Sequence, residues 1–354
     1  KLLQNYKKFV QEKKISFVDS DGNINEKTLL IGNNGAGKTS ILQAIVVLLG
    51  GAIREHFSIQ DLEWSGYEFR HLQTGKLPLK IEIEIVFEEE ELATILKYAQ
   101  ELKAKGIKLV TMPSSKKNIT LYLDYQKNKI FAKEGLAAFN QLSGYQYAKS
   151  LATFTPNKNT LFENVGNIYW YDEQRNAYNV TNFVTNYSEK KTNLNDIRSF
   201  LASAHSYHLA IKEGKRTIQE GQFDFYEKLE SIYTKVFQGR KFIGSTPRFD
   251  VYEATEAPDF FLFDGKNEYE ISCMSAGERA IFPILMDFAR WNINNSIIII
   301  DELELHLHPS LQQNLVRVLS KLGKNNQFIF TTHSENIVSM FDENENQIIK
   351  ISNE

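Results

Sequence analysis

Four consecutive isoleucines, Ile297–Ile300, follow Asn294-Asn295-Ser296 and run straight into Asp301 and Glu302. A short run that is apolar on every side and β-branched predicts a strand buried on both faces. Other segments alternate instead. In KIEIEIVFE, residues 80–88, Ile81, Ile83 and Ile85 share one face, which predicts a half-buried antiparallel strand. NITLYLDYQKNKIFA, residues 118–132, alternates in the same way and predicts a hairpin turning at Lys127-Asn128. ISFVDSDGN and EKTLLIG, between residues 15 and 32, read as two short strands joined by an Asp-Gly-Asn turn. Helical spacing governs residues 39–51, closed by a glycine stop, and residues 88–106, ended by Gly106. It returns in residues 223–237 and after the isoleucines, where Leu311, Leu315, Leu319 and Leu322 fall on one face. NIYWYDEQR, from Asn167, and QFIFTTHS, from Gln327, read as further strands.

Strand and helix alternate at both ends of the chain, around a middle with antiparallel character. That order predicts one α/β nucleotide-binding core split by an insertion. The halves fall at residues 1–90 and 265–354, with the insertion at 91–264. Within the insertion, residues 133–219 carry the weakest pattern, including a Ser/Thr/Asn-rich stretch at Asn179–Asn195.

Composition narrows the class only modestly. The 354 residues are 42% hydrophobic and 24% charged with a net charge of −3, an ordinary globular balance without a global basic field. The single cysteine, Cys273, excludes an internal disulfide framework and fits a reducing cytoplasm, and beside the turn at residues 274–280 it reads as packing. No apolar run is long enough to span a membrane. The chain opens mid-pattern without methionine, so its natural ends are expected to lie outside the sequence. The pairs Lys7-Lys8, Lys13-Lys14, Lys116-Lys117, Lys190-Lys191 and Lys215-Arg216 are candidate phosphate contacts, each with a solvated face as the simpler reading.

The chemistry begins at LLIGNNGAGKTS, residues 29–40. Gly32, Gly37, Lys38 and Thr39 have the G-x-x-x-x-G-K-[ST] spacing, after a predicted strand and before a predicted helix. Glycines there let backbone N–H groups curl around phosphates, and the helix N-terminus adds positive potential. Candidate ATP-binding residues are therefore Gly32, Asn33, Asn34, Gly35, Ala36, Gly37, Lys38, Thr39 and Ser40. Lys38 would bridge the β- and γ-phosphates, and Thr39 would give its hydroxyl to Mg²⁺. Such a loop needs acids at the end of a neighbouring parallel strand. Asp301, as outer-shell ligand of Mg²⁺, and Glu302, as general base, meet that need. The most apolar strand thus ends where a cation would compensate its carboxylates.

Four motifs together, the phosphate loop, MSAGERA (residues 274–280), DELELHLHP (301–309) and TTHS (331–334), resemble the RecF/SMC-like branch of ABC ATPases. They resemble in particular the stand-alone ATPases related to overcoming-lysogenization-defect proteins, among them those of bacterial anti-phage systems such as Septu and retron-associated effectors. The resemblance implies an ABC-type P-loop NTPase fold with a mixed sheet, an antiparallel N-terminal β-subdomain and a mixed helical and β insertion. It covers about residues 1–90 and 265–345, and Leu303 departs mildly from the family pattern. It further implies that Ser275 and Gly277 contact a γ-phosphate across a head-to-tail homodimer or higher oligomer. His333 would match the switch histidine, touching the γ-phosphate and the attacking water. Gln174, with Gln60 as runner-up, would be the metal-facing glutamine. His306 and His308 with Glu304 read as the turn after the catalytic strand, at the protomer interface, with Pro309 opening the next helix.

The resulting expectation is a cytoplasmic ATPase using ATP and Mg²⁺, sensing DNA, RNA or another phage cue and controlling a separate nuclease or effector subunit. The residues after His333 are too few for the nuclease domain that such proteins carry, so any nuclease would be a separate chain or lie beyond the sequence. A RecF- or SMC-like DNA-repair ATPase is the alternative. A transporter ATPase fits poorly, because the gap between phosphate loop and MSAGERA is far longer than in transporters.

Overall fold

The computed structural model describes residues 2–53, 59, 67–74, 78–155, 159–173, 177–179, 194–219, 222–247, 257–291, 293–341 and 347–352. The chain divides into two compact units. The first holds residues 1–185, 293–303 and 323–354, and the second holds 186–292 and 304–322. Residues 91–185, which the pattern groups with the insertion, therefore share a unit with the phosphate loop.

The first unit is built on two sheets. An antiparallel sheet joins β1 (Leu2–Gln4), β2 (Lys13–Lys14), β4 (Lys80–Val86), β5 (Asn118–Asp124) and β6 (Lys129–Ala132) in the order β2-β1-β4-β5-β6. Its hairpin turns at Asn128, which adopts φ +54°, where the pattern places the turn. The second sheet has the order β14-β3-β13-β12-β7-β8, from β3 (Lys27–Ile31), β7 (Ile168–Tyr171), β8 (Ala177–Asn179), β12 (Ile297–Ile300), β13 (Gln327–Thr331) and β14 (Ile348–Lys350). All neighbours in it run parallel except β7 and β8. Ile298, Ile299 and Ile300 are wholly buried. Each such side chain contributes about 1.5–3 kcal/mol relative to exposure. Residues 15–18 contribute only a bridge, Val18 to Ile24, rather than a full strand.

Helix α1 (Lys38–Ile53) packs against strands of both sheets, which is why it is apolar almost all round. The expected glycine stop is corrected: α1 runs through Gly50 and Gly51 to Ile53. A Cβ on Gly51 would lie 2.4 Å from Ile130 Cδ1 in β6. Glycine there permits close packing and does not end the helix. Helix α2 (Glu89–Ala104) ends at Gly106, φ +83°, as expected, and the short α3 (Leu136–Phe139) and α4 (Gly144–Leu151) complete the lobe.

The second unit contains α5 (Leu194–Lys212), α6 (Phe225–Val236), the sheet β11-β10-β9, α7 (Ala276–Trp291) and α8 (Pro309–Leu319). Its strands are β9 (Lys241–Thr246), β10 (Asp259–Phe263) and β11 (Glu268–Glu270), all antiparallel. An aromatic cluster of Tyr226, Tyr233, Phe242, Phe260 and Phe282 joins α6, the sheet and α7. The last helix, α9 (Glu335–Val338), follows β13 in the first unit. Among the described residues no helix is long and apolar enough to cross a membrane.

Candidate nucleotide site

The phosphate loop leaves β3 and enters α1 with Gly35 at φ +73° and Gly37 at φ +103°. A Cβ on Gly37 would sit 2.8 Å from the Phe9 ring and is excluded twice, by backbone conformation and by space. Lys8 Nζ lies beside Gly35, so residues from the N-terminal turn border the loop. Lys38 is 6% exposed; its ammonium donates to the carbonyls of Gly32 (2.9 Å) and Asn33 (3.3 Å) and lies 2.9 Å from His333 Nε2. An ammonium can only donate, so Nε2 accepts and the ring proton sits on Nδ1. Ala36 N–H closes onto the Asn33 carbonyl, while Asn33, Asn34 and Gly35 are exposed and Ser40 is half-buried.

β12 brings the acids to this loop. Asp301, 1% exposed, accepts a hydrogen bond from Thr39 Oγ1 at 2.7 Å through Oδ2. Its other oxygen, Oδ1, accepts from Thr331 Oγ1. Glu302 has φ +47°, a left-handed backbone unusual for a non-glycine residue, and its N–H donates to Thr331 Oγ1 at 2.7 Å. Glu173, at the end of β7, has its carboxyl pushed up, first by partial burial and then by the charges of Asp301, Glu302 and Asp172. Carboxylates crowded beside a hydroxyl form a hard-oxygen environment that suits Mg²⁺. Among the described residues no group of three or more His, Cys, Asp or Glu side chains forms a ready metal cage. Mg²⁺ needs none, since it takes one or two protein oxygens and completes its shell with phosphate and water.

The serine-glycine turn belongs to the second unit. Ser275 is the N-cap of α7, and its hydroxyl donates to Glu278 Oε2 (2.8 Å) while the Ser275 N–H donates to the same oxygen (2.9 Å). With the Glu278 N–H donating back to Ser275 Oγ at 3.3 Å, this is a capping box. Glu278 is 2% exposed and also accepts from Tyr233 Oη (2.7 Å) and Tyr269 Oη, and pairs with Arg240. Burial alone would raise its carboxyl; the Arg240 guanidinium, then Tyr269, Ser275 and Tyr233, hold it at about 2 instead. Gly277 is buried, and a Cβ there would come within 3.0 Å of the His306 carbonyl. Before the turn, at the end of β11, Glu270 accepts two hydrogen bonds from Arg198, at 2.9 and 2.7 Å, and caps Ser272 N–H at 2.8 Å.

Pro309 opens α8, as expected, and His306 and His308 are exposed in the turn before it. Cys273 is exposed at the end of the short turn Ile271–Cys273, which corrects the packing expectation: of that turn's residues only Ile271 is buried. Gln174 and Gln60 lie outside the described residues. Sequence reasoning missed Thr331 and Glu278. The Ser-x-x-Glu spacing was the legible signal for Glu278, whereas nothing local distinguishes Thr331 from an ordinary strand threonine.

A family model described as an AAA ATPase domain matches residues 2–338, so the chain belongs to that family and is an ATPase. Within it, the motifs and the fold are those of an ABC-type ATPase of the RecF/SMC-like branch, an α/β P-loop NTPase with mixed sheets. The Retron Vc95 probable ATPase of Vibrio cholerae serotype O1 biovar El Tor is 25% identical over 411 aligned residues, covering 99% of this chain and 72% of that protein. The Retron Ec83 probable ATPase of Escherichia coli is 38% identical over 109 residues, covering 27% of this chain and 20% of that one. Among solved structures, an SMC head bound to the C-winged helix domain of ScpA matches with a TM-score of 0.50 and 17% identity, covering 99% of this chain and 92% of that one.

Proposed function

We propose that this ATPase uses Mg²⁺·ATP as a switch for a head-to-tail dimer that controls a separate effector, such as a nuclease, in cytoplasmic defence against phage. The observation that carries the reading is the 2.7 Å hydrogen bond from Thr39 to Asp301, which joins the phosphate loop to the acidic strand 262 residues later. In this reading the loop amides and Lys38 bind the triphosphate, while Thr39 and Asp301 hold Mg²⁺. Mg²⁺ held by Thr39 and Asp301 would supply neutralisation of charge on the phosphate oxygens. Glu302 takes the proton of the attacking water, and His333, already beside Lys38, orients that water against the γ-phosphate.

Ser275 and Gly277 of a second copy close over the γ-phosphate. Helix N-termini favour anions, so a contact made only while that phosphate is present turns hydrolysis into dimer release. The similarity to retron ATPases supports the defence role; the cue it would sense is DNA, RNA or another phage component. Light scattering of Glu302→Gln tests the switch: the mass doubles with ATP, stays single with ADP, and the added Ser275→Arg abolishes the doubling. A single mass at saturating ATP contradicts it. Lys38→Ala is expected to lose nucleotide binding, and purification from the native host to recover an effector subunit.

A further inference from the structure

Thr331 is the last residue of β13, opposite Leu30 of β3 and one residue beyond Phe330, which pairs with Ile300. It is wholly buried. Three hydrogen bonds tie it to the segment that leaves β12: its hydroxyl meets both Asp301 Oδ1 and the Glu302 N–H, and its carbonyl accepts from Leu303 N–H at 3.0 Å. Their polarity is fixed. The Glu302 amide can only donate, so the single hydroxyl proton goes to the Asp301 carboxylate. With Oδ1 held by Thr331 and Oδ2 by Thr39, the Asp301 carboxylate has one orientation. The same hydroxyl secures the amide of Glu302 in its left-handed conformation at φ +47°. His333, two residues beyond the end of the strand, reaches Lys38.

We propose that Thr331 is a positioning residue for hydrolysis. Its hydroxyl sets both the metal-facing carboxylate and the backbone of the base, so the end of β13 governs the acids through residue 331, and the segment that follows it meets the phosphate-loop lysine through residue 333. This inference rests on the roles of Asp301 and Glu302 given above. The strand couples the two halves of the chemistry without touching the substrate at residue 331.

Thr331→Val, which keeps the shape and deletes the hydroxyl, is the test, with Thr331→Ser as the conservative partner. Binding of a fluorescent ATP analogue is measured with and without Mg²⁺, alongside steady-state turnover. Without Mg²⁺, Thr331→Val binds as the parent does, which shows an intact loop. The tightening that Mg²⁺ confers falls by about tenfold or more, as expected for a lost hydrogen bond to a charged group, KM for Mg²⁺·ATP rises with it, and kcat falls at least as far. Thr331→Ser stays within about threefold of the parent on both readouts, well inside that loss. Parent-like Mg²⁺ dependence and turnover in Thr331→Val overturn the inference, as does an equal loss in Thr331→Ser. Should the valine variant not fold, Thr331→Ser against Thr331→Ala decides, since both lack the methyl and only serine keeps the hydroxyl; equal losses overturn it. Asp301→Asn and Glu302→Gln run alongside. Normal turnover in those two means the underlying roles are wrong, whereas their loss with a normal Thr331→Val removes only the role of Thr331.

Discussion

Glu278→Gln keeps the shape of the side chain that anchors the serine-glycine turn and removes its charge. In the folded chain this carboxylate is 2% exposed and meets donors from Arg240, Tyr233, Tyr269 and both the N–H and hydroxyl of Ser275. A glutamine Nε2 cannot accept any of them. The carboxyl is lowered from 4.5 to about 2. At about 1.4 kcal/mol per unit that difference sets a ceiling on the order of 3 kcal/mol at neutral pH. The Arg240 side chain keeps 30% of its surface in water. Solvent screening of that partner brings the expected loss to about 2 kcal/mol. The sign follows from the lowered folded value: the stabilisation is complete above the unfolded value near 4.5 and disappears as pH falls toward about 2. Urea unfolding followed by circular dichroism at pH 7, 4 and 2.5 measures it. Glu278→Gln should be less stable by about 2 kcal/mol at pH 7, with the gap closing on acidification. Equal stability at pH 7, or a gap that acid leaves unchanged, refutes the reasoning.

Two further perturbations test the first unit. Gly51→Ala places a Cβ 2.4 Å from Ile130 Cδ1, so it should destabilise by about 1–3 kcal/mol despite the better helix propensity of alanine, and Ile130→Val should recover part of the loss in thermal melts; a stabilised Gly51→Ala contradicts the packing. Glu91 accepts from Gly166 N–H at 2.8 Å, and burial, against that bond, raises its carboxyl to about 7. A folded value above the unfolded one means stability falls as pH climbs from 4.5 to 7, so Glu91→Gln should equal the parent near pH 4.5 and exceed it above pH 7 by on the order of 1–3 kcal/mol; a pH-independent difference counts against this.

The parts of the site that could be read from sequence are those whose chemistry is written in consecutive residues. The phosphate loop announces itself by spacing between a strand and a helix, and Ile297–Ile300 by having no polar face before Asp301. Gly51 misled because a glycine late in an apolar run reads locally as a stop, whereas its reason is Ile130, far along the chain in another strand. Thr331 was illegible for a similar reason. Only the parallel register of β12 and β13 sets its hydroxyl level with Asp301 and Glu302. The capping box at Ser275 and Glu278 was available in Ser-Ala-Gly-Glu, but the arginine and tyrosines behind it come from α6 to β11 and depend on tertiary packing.

The central claim is that the strand ending in Asp301 and Glu302 delivers the hydrolytic base to the phosphate loop. Turnover of ATP by Glu302→Gln, measured together with ATP affinity on the same preparation, tests it most directly. Turnover should drop by about 10²–10⁴ while affinity stays near that of the parent. Hydrolysis at the parent rate by a variant that binds ATP normally would contradict the account.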